Sequence, residues 1–335
     1  MNVLGDLLSS MIAFAVPLIL VALGAMYSER SGTINIALEG IMIIGGLVAS
    51  LFFKIMSPTV TEFFASNPNP ISQFFMSQSI VLVGILLAAI VGAIYSFFLA
   101  FASIRLKADQ TIGGTALNML APALAIVITW AVQGQGQTAI LTPAWVPLAS
   151  APVDANFFER LFLKNMYLTT IICIIIIVAT IIIIYRTKFG LRLRSCGENP
   201  AAADSVGINV YRIRYTGVMI SGALAGIGGL AFTLAAGSGF ASTVAGYGFL
   251  ALAVMIFGNW QPVKIVLAAL LFAFFKSLSG MSGSIPFLPS FTNVKESVYI
   301  YLMIPYIVTM IILAITSKKS RAPKAEGIPY DKGSR

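Results

Sequence analysis

The sequence predicts an all-α protein, a polytopic bundle of about nine transmembrane helices. Three observations predict it. Of 335 residues, 58% are hydrophobic and only 10% are charged, where soluble domains carry about 25% charged residues. The apolar residues gather into runs near the roughly 20 residues that a helix needs to cross a bilayer. Lysine and arginine gather between certain of those runs, as they do on the cytoplasmic side of membrane proteins.

The runs lie at 7–27, 33–53, 79–104, 111–132, 166–185, 216–236, 247–260, 262–280 and 298–316, with eight to ten spans as the range. No basic residue precedes the first run, so it does not read as a cleaved signal peptide. The second opens from SERSGTINIALEGIMIIGG, residues 28–46, and carries Glu39 inside its apolar stretch. A carboxylate there is expensive and must face a cavity, a partner or polar backbone; a packing contact and a place in the substrate path both fit. The third run is followed by Arg105 and Lys107, and the fourth opens on TIGGTALNML with a polar Asn118.

Beyond the fifth run comes a polar island, CGENPAAADSVGINVYRIRY, at 196–215. It reads as a short helix with signals at both ends. Asn199 suits the cap and Pro200 the first turn. Ala201, Ala202 and Ala203 are the best helix formers, and Gly207 suits a left-handed stop. A helix of about seven residues is unstable alone in water, so it is built to dock. The sixth run holds SGALAGIGG, residues 221–229, whose small residues four apart let helices approach closely. The seventh is short and flanked by glycine, and the segment AAGSGFASTVAGYGFLALA at 235–253 leads into it; a broken helix lining a transporter site and a plain extracellular loop both fit. Ser238 and Tyr247 of this segment, with Asn35, Glu39 and Asn118, are the candidate pathway residues. Runs two and seven both begin on Gly-rich turns and point in opposite directions, as inverted repeats do.

Arg186, Lys188, Arg192, Arg194, Arg212, Arg214, Lys318, Lys319, Arg321, Lys324, Lys332 and Arg335 are 12 of the 21 basic residues. Alternating spans put the loop 186–215, the tail and the turn at Arg105 on one side, the cytoplasm. The N-terminus and the 133–165 loop are then outside. Residues 1–316 form the transmembrane domain and 317–335 a basic, disordered tail. The net charge of +9 reflects this topology and membrane anchoring, not nucleic-acid binding. No histidine is present and only two cysteines, so no metal site, cofactor or disulfide framework is expected. No phosphate-binding loop or catalytic constellation is visible: the chain is not an enzyme and does not hydrolyse ATP itself. A transporter working without ATP is disfavoured by the lack of intramembrane Asp, Glu or His relays.

SERSGTINIALEG at 28–40, the 196–215 island, SGALAGIGG and GFLALAVMIFGNWQP at 248–262 carry a resemblance. The chain resembles permease subunits of ABC importers in the branched-chain amino acid and simple-sugar permease family, nearest to nucleoside-type permeases. The resemblance implies a bacterial plasma-membrane importer for nucleosides, with simple sugars or branched-chain amino acids as the alternatives. It implies a second, non-identical permease, cytoplasmic ABC ATPases and an extracellular binding lipoprotein. It assigns Gly197, Glu198, Asn199, Pro200, Ala201, Ala202, Ala203, Asp204 and Gly207 to a coupling helix that docks on an ATPase.

Overall fold

The computed structural model describes residues 3–134, 136, 139–149, 152, 156–237, 239–281, 303, 307, 310, 311, 314 and 322–332. Its helices are α1 (Val3–Arg30), α2 (Leu38–Ser66), α3 (Pro70–Ala100, continued by a π-helical turn Phe101–Arg105), α4 (Gln110–Gln133), α5 (Phe157–Leu163), α6 (Leu168–Arg186), α7 (Lys188–Glu198), α8 (Pro200–Ser205), α9 (Val210–Ala236), α10 (Tyr247–Phe257) and α11 (Pro262–Gly280). Seven of them are long and apolar enough to cross a membrane. The run at 298–316 falls almost wholly outside the described residues. The seventh run, 247–260, is only the 11-residue α10.

Local chemistry starts these helices. Asn69 precedes Pro70 and accepts the Ile71 amide. Asp109 accepts the amides of Thr111 and Ile112, which hold its carboxyl below the usual range. Asn209 accepts the Arg212 amide at the start of α9. Each cap satisfies backbone donors that a helix leaves open.

Helix α9 is the hub, packed against α1, α2 and α3. Between apolar helices in lipid there is no hydrophobic drive, so close packing decides. The SGALAGIGG stripe supplies it. A Cβ on Gly222 would lie 2.5 Å from the Gly92 carbonyl of α3. On Gly226 it would collide with the Ala88 carbonyl, and on Gly229 with the Met42 carbonyl of α2.

These contacts also set depth. Asn35 meets Ser221, while Gly46 lies against Gly229 and Thr233, so α2 runs parallel to α9. Gly24 lies against Ser221, while Gly228 meets Pro17 and Val21, so α1 runs antiparallel. Helix α10 begins beside Glu39 and is followed by Trp260 beside Glu29 and Arg30. At about 1.5 Å per residue, its 11 residues cover about 16 Å, half the hydrocarbon core. Residues 239–246 reach its start from the far end of the bundle, where Phe240 forms a β-bridge with Ile140. Helix α11 then returns, and the Ser277 hydroxyl donates to the Leu7 carbonyl at 2.9 Å.

Candidate functional site

Two places gather the predicted residues. The first lies within the bundle, where the starts of α2, α4 and α10 converge. The Glu39 carboxylate accepts the Gly246 amide at 2.8 Å and the Gly248 amide at 2.7 Å. It thus caps the positive N-terminal end of a half-length helix. Gly246 has φ +80°, and Gly248 has no room for a side chain beside the Glu39 backbone. Asn118 accepts the Gly40 amide at 2.8 Å and donates to the Ile36 carbonyl at 2.8 Å, tying α4 to the first turn of α2. Asn35 is fully buried and donates to Ser221 at 2.9 Å. Tyr247 is buried against Phe232, ring centroids 4.5 Å apart. Ser238 lies outside the described residues. Glu39 and Asn118 bond backbone groups at the starts of α10 and α2, which lipid itself cannot satisfy, while Asn35 and Tyr247 pack against α9. None of the four lines the apolar groove of about 590 Å³ formed by Tyr27, Ile176, Thr180, Thr216 and Leu224.

The opposite end of α10 is held as well. The Arg30 guanidinium donates to the Trp260 carbonyl at 2.9 and 2.6 Å, and the Trp260 indole donates to Glu29 at 2.7 Å. Asn259 and Trp260 both take positive φ, 51° and 53°. Neither side chain is glycine, so this turn is strained and its carbonyl is pinned by charge. Sequence reasoning missed the clamp, because Arg30 and Trp260 are 230 positions apart.

The second place is the α7–α8 turn. Asn199 accepts the Ala202 amide at 3.0 Å, and Pro200 follows it. Gly207 takes φ +83°, and the Ile208 amide returns to the Ala203 carbonyl. Helix α8 has six residues. Its two faces differ. Ala203 is 3% exposed and packs with Cys196 and Val210, whereas Ala201, Ala202 and Ser205 are exposed and Val206 is 74% exposed. Gly197 is buried; Glu198 and Asn199 are exposed, and Asp204 is partly buried. Val206 belongs with the outward face and was missed. Its signal was present: an apolar side chain in a polar loop, four residues from Ala202.

The sequence reads 317–335 as a disordered tail; its described part, 322–332, lies against this turn. The Ala325 amide donates to the Gly197 carbonyl at 2.8 Å, and buried Arg214 donates to the Ile328 carbonyl at 2.9 Å. Tyr330 packs on Tyr211, Lys332 pairs with Asp204 at 3.4 Å, and Asp331 pairs with Lys107 at 2.5 Å.

The family model for the permease component of branched-chain amino acid transport systems matches residues 7–313. The chain belongs to this permease family. The permease is 39% identical, over 99% of its length and 98% of the relative's, to the nucleoside ABC transporter permease protein NupC of Lactococcus lactis. It is 38% identical, over 100% and 99%, to the guanosine ABC transporter permease protein NupQ of Bacillus subtilis. It is also 27% identical, over 95% and 83%, to the nucleoside ABC transporter permease protein NupB of Lactococcus lactis. No solved structure matches the permease.

Proposed function

We propose that the permease is one membrane subunit of an ABC importer that carries nucleosides across the bacterial plasma membrane. The observation that carries the substrate class is the end-to-end likeness to two permeases named for nucleosides, at 38–39% identity. A second, non-identical permease completes the pathway. That one organism has both NupB and NupC among the relatives supports this pairing. An extracellular lipoprotein delivers the substrate and cytoplasmic ATPases supply the work.

The outward face of α8 is the ATPase contact. Exposed Ala201, Ala202 and Val206 form a small, flat, nearly uncharged surface suited to a groove on a soluble partner. Movement there passes directly into α9, which begins at Val210. From α9 it reaches α1, α2 and α3, whose backbones touch its glycines. Asn35, Glu39, Asn118 and Tyr247 hold the α2–α4–α10 junction that those helices share, next to the substrate path.

The test is uptake in proteoliposomes holding the whole complex. Radiolabelled guanosine is expected to accumulate with ATP, and unlabelled adenosine or guanosine to compete where glucose and leucine do not. Competition by glucose or leucine, with none by nucleosides, overturns the substrate class. Ala202→Trp is expected to insert normally, to lower uptake at least 10-fold and to abolish stimulation of the ATPase by guanosine-loaded binding protein. Normal uptake with normal stimulation would remove α8 as the contact.

A further inference from the structure

A six-residue helix does not hold itself in water, yet α8 presents a defined outward face. What holds it from behind lies at the other end of the sequence. The Ala325–Gly197 bond joins backbone to backbone. At Gly197 a side chain would collide with the Arg30 carbonyl and would stand 3.3 Å from Pro323. Arg214 is 2% exposed, and its one described hydrogen bond goes to the Ile328 carbonyl of the tail. Tyr330 joins the apolar cluster of Cys196, Ala203 and Val210 behind α8. The segment 322–332 therefore seals the inner side of the α7–α8 turn and leaves the outer side open.

The same segment touches two other turns. A Cβ on Gly327 would stand 2.9 Å from the Ile34 side chain in the α1–α2 turn, and Asp331 pairs with Lys107 at the α3–α4 turn. Three turns that are remote in sequence are thus bound by one 11-residue segment.

We propose that residues 322–332 are a permanent strap, which makes the α7–α8 turn move as one body with the α1–α2 and α3–α4 turns during coupling. This rests on the reading of α8 as the ATPase contact. The strap is a positioning element: it touches neither substrate nor nucleotide. Without it, the buried Arg214 guanidinium and Gly197 carbonyl lose partners, and α8 loses its inner packing. A force applied to α8 would then be spent in bending the turn.

The test uses the complete complex in nanodiscs. A chain ending after Arg321 is expected to speed hydrogen exchange at the Ala203 and Ile208 amides at least 10-fold, leaving α9 amides near Gly226 unchanged. Stimulation of the ATPase by guanosine-loaded binding protein is expected to disappear while basal hydrolysis persists. Unchanged exchange at α8 overturns the strap, and so does faster exchange with full stimulation. Should the truncated chain fail to assemble, a second variant decides. Lys107→Cys with Asp331→Cys, bridged by a short bismaleimide, fixes the strap in place. The native Cys173 and Cys196, both free thiols, are replaced first, so that only the introduced pair reacts. Uptake is expected to stay within twofold of the unbridged protein; loss of uptake on bridging shows a strap that must open and overturns the proposal. Ala202→Trp separates the two readings. If it is silent while truncation uncouples, Ala202 is not the contact, and the strap transmits force that enters elsewhere on the turns it joins.

Discussion

Glu39 shows what a single carboxylate does inside this bundle. It spends its two oxygens on two backbone amides at the start of α10, from a partly buried position between α2 and α10. Leaving a buried donor unsatisfied costs about 1–3 kcal/mol each. Glu39→Gln keeps the shape and one acceptor oxygen; Glu39→Leu keeps neither acceptor. Thermal unfolding of purified protein is expected to fall slightly for the glutamine variant and by several degrees for the leucine variant, with uptake following the same order. Equal, wild-type behaviour of both would mean that the α10 amides find other partners. Glycines separate by the same logic. A methyl on Gly226 meets the Ala88 carbonyl, while one on Gly113 finds only the Leu99 side chain at 3.4 Å. Overpacking costs about 1–3 kcal/mol, so Gly226→Ala is expected to lower the melting temperature and Gly113→Ala to leave it within a degree. The spacing of small residues was legible in the sequence, because it is a property of one helix. The carbonyl that each glycine approaches was not, because it belongs to another helix.

Among elements, α8 and the strap divide the labour. The sequence placed the cap at Asn199, the first-turn proline and the stop at Gly207, all local signals. It treated Ala202 and Ala203 alike, and the structure separates them. Ala203→Trp would force a large ring into the cluster with Cys196 and Tyr330, whereas Ala202→Trp adds it to an open face. Loss of thermal stability is therefore expected for Ala203→Trp and not for Ala202→Trp. Equal melting temperatures would place both residues on the surface. The strap left no legible signal: two of its anchors are main-chain carbonyl contacts, and Arg214 and Ile328 are 114 positions apart. It does carry a titratable group. Burial raises the pKa of Glu326, which faces Glu29 of α1, itself bonded to the Trp260 indole. A carboxyl raised on docking binds its proton more tightly docked than free, so docking is strongest below the ordinary carboxylate range and weakens as pH rises through the raised value. The strap stays docked throughout, but the cost of ionising Glu326 is expected to show in stability: Glu326→Gln raises the melting temperature more at pH 8 than at pH 5. An equal effect at both would contradict it.

At the scale of the whole molecule, charge and packing agree on one end of the bundle. Lys107, Asp204, Asp331 and Lys332 are joined there by ion pairs, and Arg30 and Arg214 bind carbonyls beside them. The sequence assigned this end to the cytoplasm from lysine and arginine alone. Its companion end holds the Ile140–Phe240 bridge and the Ser277–Leu7 bond. Helix α10 does not disturb the alternation. Residues 239–246 lead from the bridge to Glu39, and α10 runs on to Trp260, so the two together join opposite ends of the bundle. A path built this way leaves Leu141, 77% exposed, at one end and exposed Ser205 at the other. With Cys173 and Cys196 replaced, a membrane-impermeant maleimide added to intact cells is expected to label Leu141→Cys and to spare Ser205→Cys. Inside-out vesicles are expected to reverse the pattern. If intact cells label Ser205→Cys and spare Leu141→Cys, the orientation is inverted, α8 faces away from any cytoplasmic ATPase, and the coupling reading falls with it.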